Sequence, residues 1–359
     1  MPPTTARRDT VVRPRTLIPA SEFPRDGLCG VSRSRAIRTF VLVRRTGFLM
    51  LPDIPMNRIL SRLLGAILTL FITWTVVFGA MRLAPGDPVL LMLQGTPISD
   101  SAMDAARAKL GLDRSFVVQY VSFLADAAHG DFGDSFRNQQ PVIRLIADEF
   151  PFTLRLAIGG FMVGLLLGST LGIIAGIRPN GWIDTACMVL ALAGLSLPSF
   201  WIGMILIQVF ATQLGWVPVL GSSFDALILP SVTLGLFIAG GLARLIRNSI
   251  IEVMAQDYIR TARAKGLTSV RIVGKHVMRN ALIPPLTLLG IQFALLIGGA
   301  VVTETVFARP GIGRLLVRAV LEKDFPVVQG VVVLTTAAYV LINLLIDIAY
   351  GIIDPRVQA

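Results

Sequence analysis

The chain has 359 residues, 54% of them hydrophobic and only 15% charged, with a mean hydropathy of +0.72. Soluble domains carry about a quarter of charged residues, so this balance excludes an ordinary soluble protein and indicates a membrane protein. The formal charge of +11 is not a nucleic-acid signal, because residues 1–62 hold 12 Arg against four acids and leave 21 basic and 18 acidic residues to the other 297.

Residues 1–55 form an Arg-rich extension without periodicity, expected to be disordered. Their longest apolar runs, Phe40–Val43 and Phe48–Leu51, are too short for a signal peptide. The Arg-rich stretch is read as contacting anionic lipid or nothing, and no nucleic acid. From Met56 the sequence MNRILSRLL leads into the first apolar stretch, so 56–359 is read as the membrane domain. A spanning helix needs about 20 apolar residues. Spans are expected near 63–81, 156–177, 187–213, 226–243, 280–303 and 327–346, which gives an all-α protein of about six transmembrane helices. Between the first two lies a segment, 84–149, too long for a turn, with a helix-like stretch near Ser101–Leu110 that Gly111 would cap.

The second span carries Gly160, Gly164, Gly168, Gly172 and Gly176 at four-residue spacing, a pattern for close helix packing within the chain or against a partner. Pro198, Pro230, Pro284 and Pro285 break or begin spans, as suits helices that line a cavity. The loop 244–279 carries eight Lys and Arg against Glu252 and Asp257, whereas residues 215–224 carry no cation. By the positive-inside rule this loop and both termini are cytoplasmic and segment 84–149 is external. The four basic residues of 309–323 fall on the other side, against the trend.

Within that basic loop, DYIRTARAKGLTSVRIVGKHVMRNALI over 257–283 reads as a helix, a left-handed turn at Gly266, and a second helix. The product is a compact basic knob suited to a pocket of a soluble partner. The sequence YIRTARAKGL…HVMRNALI resembles the permeases of binding-protein-dependent ABC importers for dipeptides, oligopeptides and nickel. The general family pattern, E-A-A followed after three residues by Gly and later by I-x-L-P, is met here only at Ala262, Gly266 and Asn280; the peptide and nickel subfamily is matched nearly throughout. Further matches are RLAPGDP at 82–88, LGLDR at 110–114, GDFG at 130–133, LSLPSFW at 195–201, ETVFARPGIG at 304–313, FPVVQGV at 325–331 and IDPR at 353–356. In this order they resemble the first permease subunit of a dipeptide or oligopeptide importer, the DppB/OppB type. The 55-residue extension departs from that pattern.

The resemblance implies a type I ABC importer permease of MetI-like architecture in the bacterial inner membrane. It implies a second homologous permease, cytoplasmic ABC ATPase subunits, an extracytoplasmic substrate-binding protein, membrane lipid and a peptide substrate, with nickel chelates or glutathione as alternatives. It also makes Tyr258, Arg260, Thr261, Ala262, Arg263, Ala264, Lys265, Gly266, Leu267, His276 and Asn280 the ATPase-coupling loop.

The chain has no G-x-x-x-x-G-K-[ST] phosphate loop, since Gly274–Lys275 is followed by His276. Two Cys and two His make neither a disulfide framework nor a metal centre, so no enzyme site and no cofactor are expected. Candidate pathway residues are Ser196, Pro198 and Ser199, where hydroxyls meet a helix break, with Gln208 and Gln292. Glu304 is either a gate or substrate contact or an interfacial carboxylate, and Asn343 and Asp347 are further polar residues of the last span. An ion-coupled secondary transporter would need ionisable groups near the midplane, and five of the six spans have none.

Overall fold

The structure, a computed structural model, describes residues 56–83, 100–109, 113–219, 221 and 223–353. The Arg-rich extension, most of RLAPGDP, the Gly111 cap and most of IDPR lie outside the described residues. The elements are helical throughout: α1 (Met56–Leu83), α2 (Asp100–Lys109), α3 (Phe116–His129), α4 (Val142–Ile177), α5 (Trp182–Ser196), α6 (Ser199–Gln213), α7 (Ile228–Met254), α8 (Asp257–Ala264), α9 (Ser269–Ala281), α10 (Ile283–Val306), α11 (Ile312–Leu321) and α12 (Phe325–Ile353).

Among the described residues four helices are long and apolar enough to cross a membrane, over Leu60–Leu83, Val142–Ile177, Asp225–Met254 and Phe325–Ile346. Two bent pairs, α5 with α6 and α9 with α10, bring the number to six if each pair is one span. The single helix expected over 187–213 is therefore corrected to two limbs that meet at 106°. The cause is local: a residue before proline is driven to extended backbone, and Leu197 has φ −81° and ψ 139°. The helix expected from 280 begins at Ile283 after a 45° bend, with Pro284 and Pro285 in its first turn, where their missing N–H groups cost least.

The core is the seam between α4 and α7. A Cβ placed on Gly160 would lie 2.8 Å from the Leu234 Cβ, on Gly164 2.7 Å from the Ile238 Cβ, on Gly172 2.6 Å from the Ala243 oxygen and on Gly176 2.9 Å from the Ile250 Cβ. The glycine ladder thus packs within the chain, and it does so because each contact is closer than any side chain allows. Beside the seam, Leu156, Ala157, Ile238 and Ala300 are buried together, and Phe161 meets Phe293 edge-on at 5.3 Å.

At one end of α4 and α7 sit α8 and α9. At the other end, Val142, Ile146, Ile312, Ala319, Val327 and Val331 form a second buried cluster that gathers the starts of α4 and α12 around α11. The segment between α3 and α4 is pinned there too: Ser135 donates to the Asp324 carboxylate at 2.5 Å, and the Phe136 N–H donates to its other oxygen at 3.1 Å.

Candidate functional site

The knob begins with α8, which ends in a Schellman turn. The Gly266 N–H donates to the Arg263 carbonyl at 2.9 Å and the Leu267 N–H to the Ala262 carbonyl at 3.3 Å, with Gly266 at φ +77°. Nothing lies within 4 Å of a Cβ built on Gly266, so backbone conformation alone requires glycine there. The inner faces of the two helices are one buried cluster with the end of α7: Ile259, Ala262, Ile272, Val277 and Ala281 pack with Leu242, Ile246 and Ile250. Leu267 joins that cluster half-buried. The Asn280 amide donates to the Tyr258 hydroxyl at 2.8 Å and clips the end of α9 to the start of α8.

The outer face of the knob is exposed and basic. Arg260, Arg263, Lys265, Arg271, Lys275 and Arg279 are all exposed, as are Thr261 and Ala264, whereas His276 is half-buried. Arg260 pairs with Asp257 at 3.3 Å across one helical turn, an exposed contact of little energetic weight. Val270 is an apolar residue 84% exposed on this basic surface. Residues Ile272–Val277, in the middle of α9, wind as a π-helix, a departure that recurs at functional positions.

At the opposite end, Glu304 is fully buried. Thr153 of α4 donates to one carboxylate oxygen at 2.6 Å; the Gly313 and Arg314 N–H groups donate to the other at 2.8 and 3.2 Å. The Thr153 oxygen in turn accepts the Ile312 N–H at 2.8 Å, so carboxylate and hydroxyl together satisfy three free donors at the start of α11. This explains the spelling of ETVFARPGIG. A Cβ on Gly311 would collide with the Glu304 carboxylate, and one on Gly313 with Val301. Glu304 accordingly spends its oxygens on holding α11 to α4.

The other polar candidates are dispersed. Ser196 and Pro198 are exposed and Ser199 half-buried at the break between α5 and α6. Gln208 is exposed on the π-helical end of α6, Ile207–Gln213. Gln292 lies against Gly241 of α7, its Nε2 3.8 Å from a Cβ built there. Asn343 donates to the Tyr339 carbonyl of its own helix at 3.0 Å. Among the described residues no three His, Cys, Asp or Glu side chains converge as a metal site requires.

Residues 168–359 match the family described as binding-protein-dependent transport system inner membrane component, and residues 56–157 match its N-terminal component. The chain belongs to this family. It is a multi-pass inner-membrane permease of the ABC importer class, whose members work with ATPase and substrate-binding partners. The glutathione transport system permease protein GsiC of Escherichia coli strain K12 is 42% identical over 304 residues, 84% of this chain and 99% of GsiC. GsiC of Shigella flexneri serotype 5b matches to the same extent. Among solved structures, the inward-facing MetNI methionine ABC transporter aligns with 57% of this chain and 94% of its own at a TM-score of 0.48 and 22% identity.

The permease also uses residues that sequence reasoning passed over. Asp184 at the start of α5 takes two charge-assisted hydrogen bonds of 2.6 Å from Arg247 of α7, and its side chain is buried. In the sequence Arg247 is one of the eight cations of the loop 244–279, and Asp184 is a lone carboxylate before an apolar run. Their pairing across 63 positions has no short-range signature. Thr153 likewise gave no signal as a lone hydroxyl near Pro151.

Proposed function

We propose that this permease forms half of the translocation pathway of an ABC importer for small peptides, glutathione included. Helices α8 and α9 form the knob that seats in a cleft of a cytoplasmic ATPase. The observation that carries this reading is the construction of the knob: an inner face continuous with the core of α7, and an outer face of six exposed cations around Val270. A rigid element of this kind transmits a push to the membrane helices that a floppy loop would dissipate. Nucleotide hydrolysis belongs to the partner, since the chain has no phosphate loop.

The orientation follows the same logic. The knob and both termini are cytoplasmic, and α2, α3 and α11 lie on the external side with the substrate-binding protein. A second, homologous permease supplies the other half of the pathway, and Ser196, Pro198, Ser199, Gln208 and Gln292 are the candidates to line it. Peptide as the substrate class is supported by the 42% identity to a glutathione permease, glutathione being itself a tripeptide.

The decisive experiment reconstitutes the permease with its ATPases, its second permease and its binding protein, and measures uptake of labelled dipeptides, oligopeptides, glutathione and a nickel chelate. Uptake of peptides or glutathione dependent on ATP is the expected result. Uptake confined to the nickel chelate, or independent of ATP, overturns it.

A further inference from the structure

The helix α3 has no part in the knob or in the Glu304 cluster, yet most of its surface is apolar. Phe116, Tyr120 and Phe123 place their rings 5.3, 5.3 and 5.4 Å from the ring of Phe78 on α1. Gln119, Ser122, Asp126 and His129 share a second side of the helix, at the spacing of a polar stripe. On the third side Val117 and Val121, one turn apart, are 67% and 58% exposed, and Phe116 beside them is 60% exposed.

The depth of this contact decides what covers the exposed side. Arg62 and Arg82 bracket the apolar part of α1 and stand twenty residues apart. At 1.5 Å per residue that is ~30 Å, which equals a hydrocarbon core of about 30 Å. Phe78, with the Arg82 guanidinium 5.4 Å from its ring centroid, then lies one turn inside the boundary that Arg82 marks. Thr75 lies deeper still, ~5 Å from the midplane on the same reckoning.

The hydroxyls agree with this placement. Thr75 donates to the Phe71 carbonyl at 2.7 Å, so the Tyr120 O–H is the donor in the 2.6 Å contact between Tyr120 and Thr75. Both protons are taken up within the protein, as a setting without water demands. On α1, which the aromatic rings join to α3, Ile67, Leu68, Phe71, Ile72 and Val76 are exposed as well. With 14 residues, α3 is ~21 Å long, too short to cross the bilayer.

We propose that α3 is inserted part-way into the leaflet remote from the knob, with Val117, Val121 and Phe116 against lipid acyl chains and the exposed Asp126 and His129 toward headgroups and water. Helix α3 is therefore a lipid-anchored element of the permease. This inference rests on the membrane setting of α1 and is independent of the transported substrate.

The test uses the assembled transporter in liposomes. Single cysteines at Val117, Val121, Asp126 and, as a lipid-facing reference on α1, Ile72 are introduced with Cys29 and Cys187 replaced by alanine, and each carries a nitroxide. At Val117 and Val121 the collision rate with oxygen should exceed that with a water-soluble nickel chelate several-fold, as at Ile72, and the order should reverse at Asp126. Two results overturn the proposal: nickel access at the valines equal to that at Asp126, which means water, or low access to both probes, which means a protein partner. On the unmodified chain, lipids carrying a photoreactive group in mid-acyl chain should label residues 116–125 as well as α1. Labelling of α1 without α3 overturns the proposal by itself.

Discussion

The Thr153 hydroxyl and the Glu304 carboxylate, 151 positions apart and 2.6 Å from each other, jointly hold the first turn of α11. Glu304→Ala leaves the Gly313 and Arg314 donors and the Thr153 hydroxyl without their acceptor in a buried place, at about 1–3 kcal/mol for each unsatisfied group. Glu304→Gln keeps one acceptor oxygen and should be milder. The measurement is steady-state membrane level and detergent melting temperature, with the order wild type, Gln, Ala. If Glu304→Ala retains full level and melting temperature but loses transport, the carboxylate acts on substrate and not on α11.

Asp184 and Arg247 give a second separable prediction. Removing one partner strands the other, a loss of about 3 kcal/mol or more for a buried pair. Arg247→Met alone should therefore sharply lower the amount of folded permease. The double variant Asp184→Leu with Arg247→Met, apolar on both sides, should recover most of it. Failure of the double variant to recover would mean that the pair does more than fix α5 to α7.

The glycine seam makes a graded prediction from geometry alone. At Gly172 any side chain meets the Ala243 carbonyl and the Ile246 Cβ, so Gly172→Leu should force α4 from α7 and remove the folded protein. Gly79 on α1 has nothing within 4 Å of a built Cβ, and Gly79→Ala should be neutral or slightly stabilising through helix propensity. Comparable losses at both positions would show that the α4–α7 seam is not the special feature.

Much of this arrangement was legible in the sequence because membranes impose it. Apolar runs of about 20 residues and small residues every fourth position report on lipid and on close packing directly, and the α4–α7 seam runs along that glycine stripe. A left-handed turn is local, so Gly266 could be read in place from its neighbours. The break at Pro198 was visible as a proline, but its consequence was not: proline announces a lost hydrogen bond, while the 106° angle depends on how both limbs pack. Helix α3 escaped notice because 14 residues fall below spanning length and its apolar residues wrap around two sides. Thr153, Glu304, Asp184 and Arg247 meet across distant positions, and no periodicity encodes such pairs.

The last prediction concerns Gly266, whose φ of +77° ends α8 and sets the angle at which α9 leaves. Because a Cβ there would touch nothing within 4 Å, substitutions act through backbone conformation and not through volume. Asn enters the left-handed region readily, Ala at some cost, and a β-branched residue at the greatest cost. The expected order of retained uptake is therefore Gly, Asn, Ala, Val, although Asn exceeds Ala in size. The buried inner face from Ile259 to Ala281 keeps the knob attached to α7, so membrane level should fall little even in Gly266→Val. What should fall is co-purification of the ATPase and substrate-stimulated hydrolysis, since the exposed cations and Val270 no longer present one surface. Lys265→Glu, at an exposed position beside the turn, should weaken the association modestly and more at low than at high salt. Uptake that tracks side-chain size instead of the Asn-before-Ala order would refute the conformational account. Full uptake and full ATPase retention in Gly266→Val would remove the coupling role from the knob altogether.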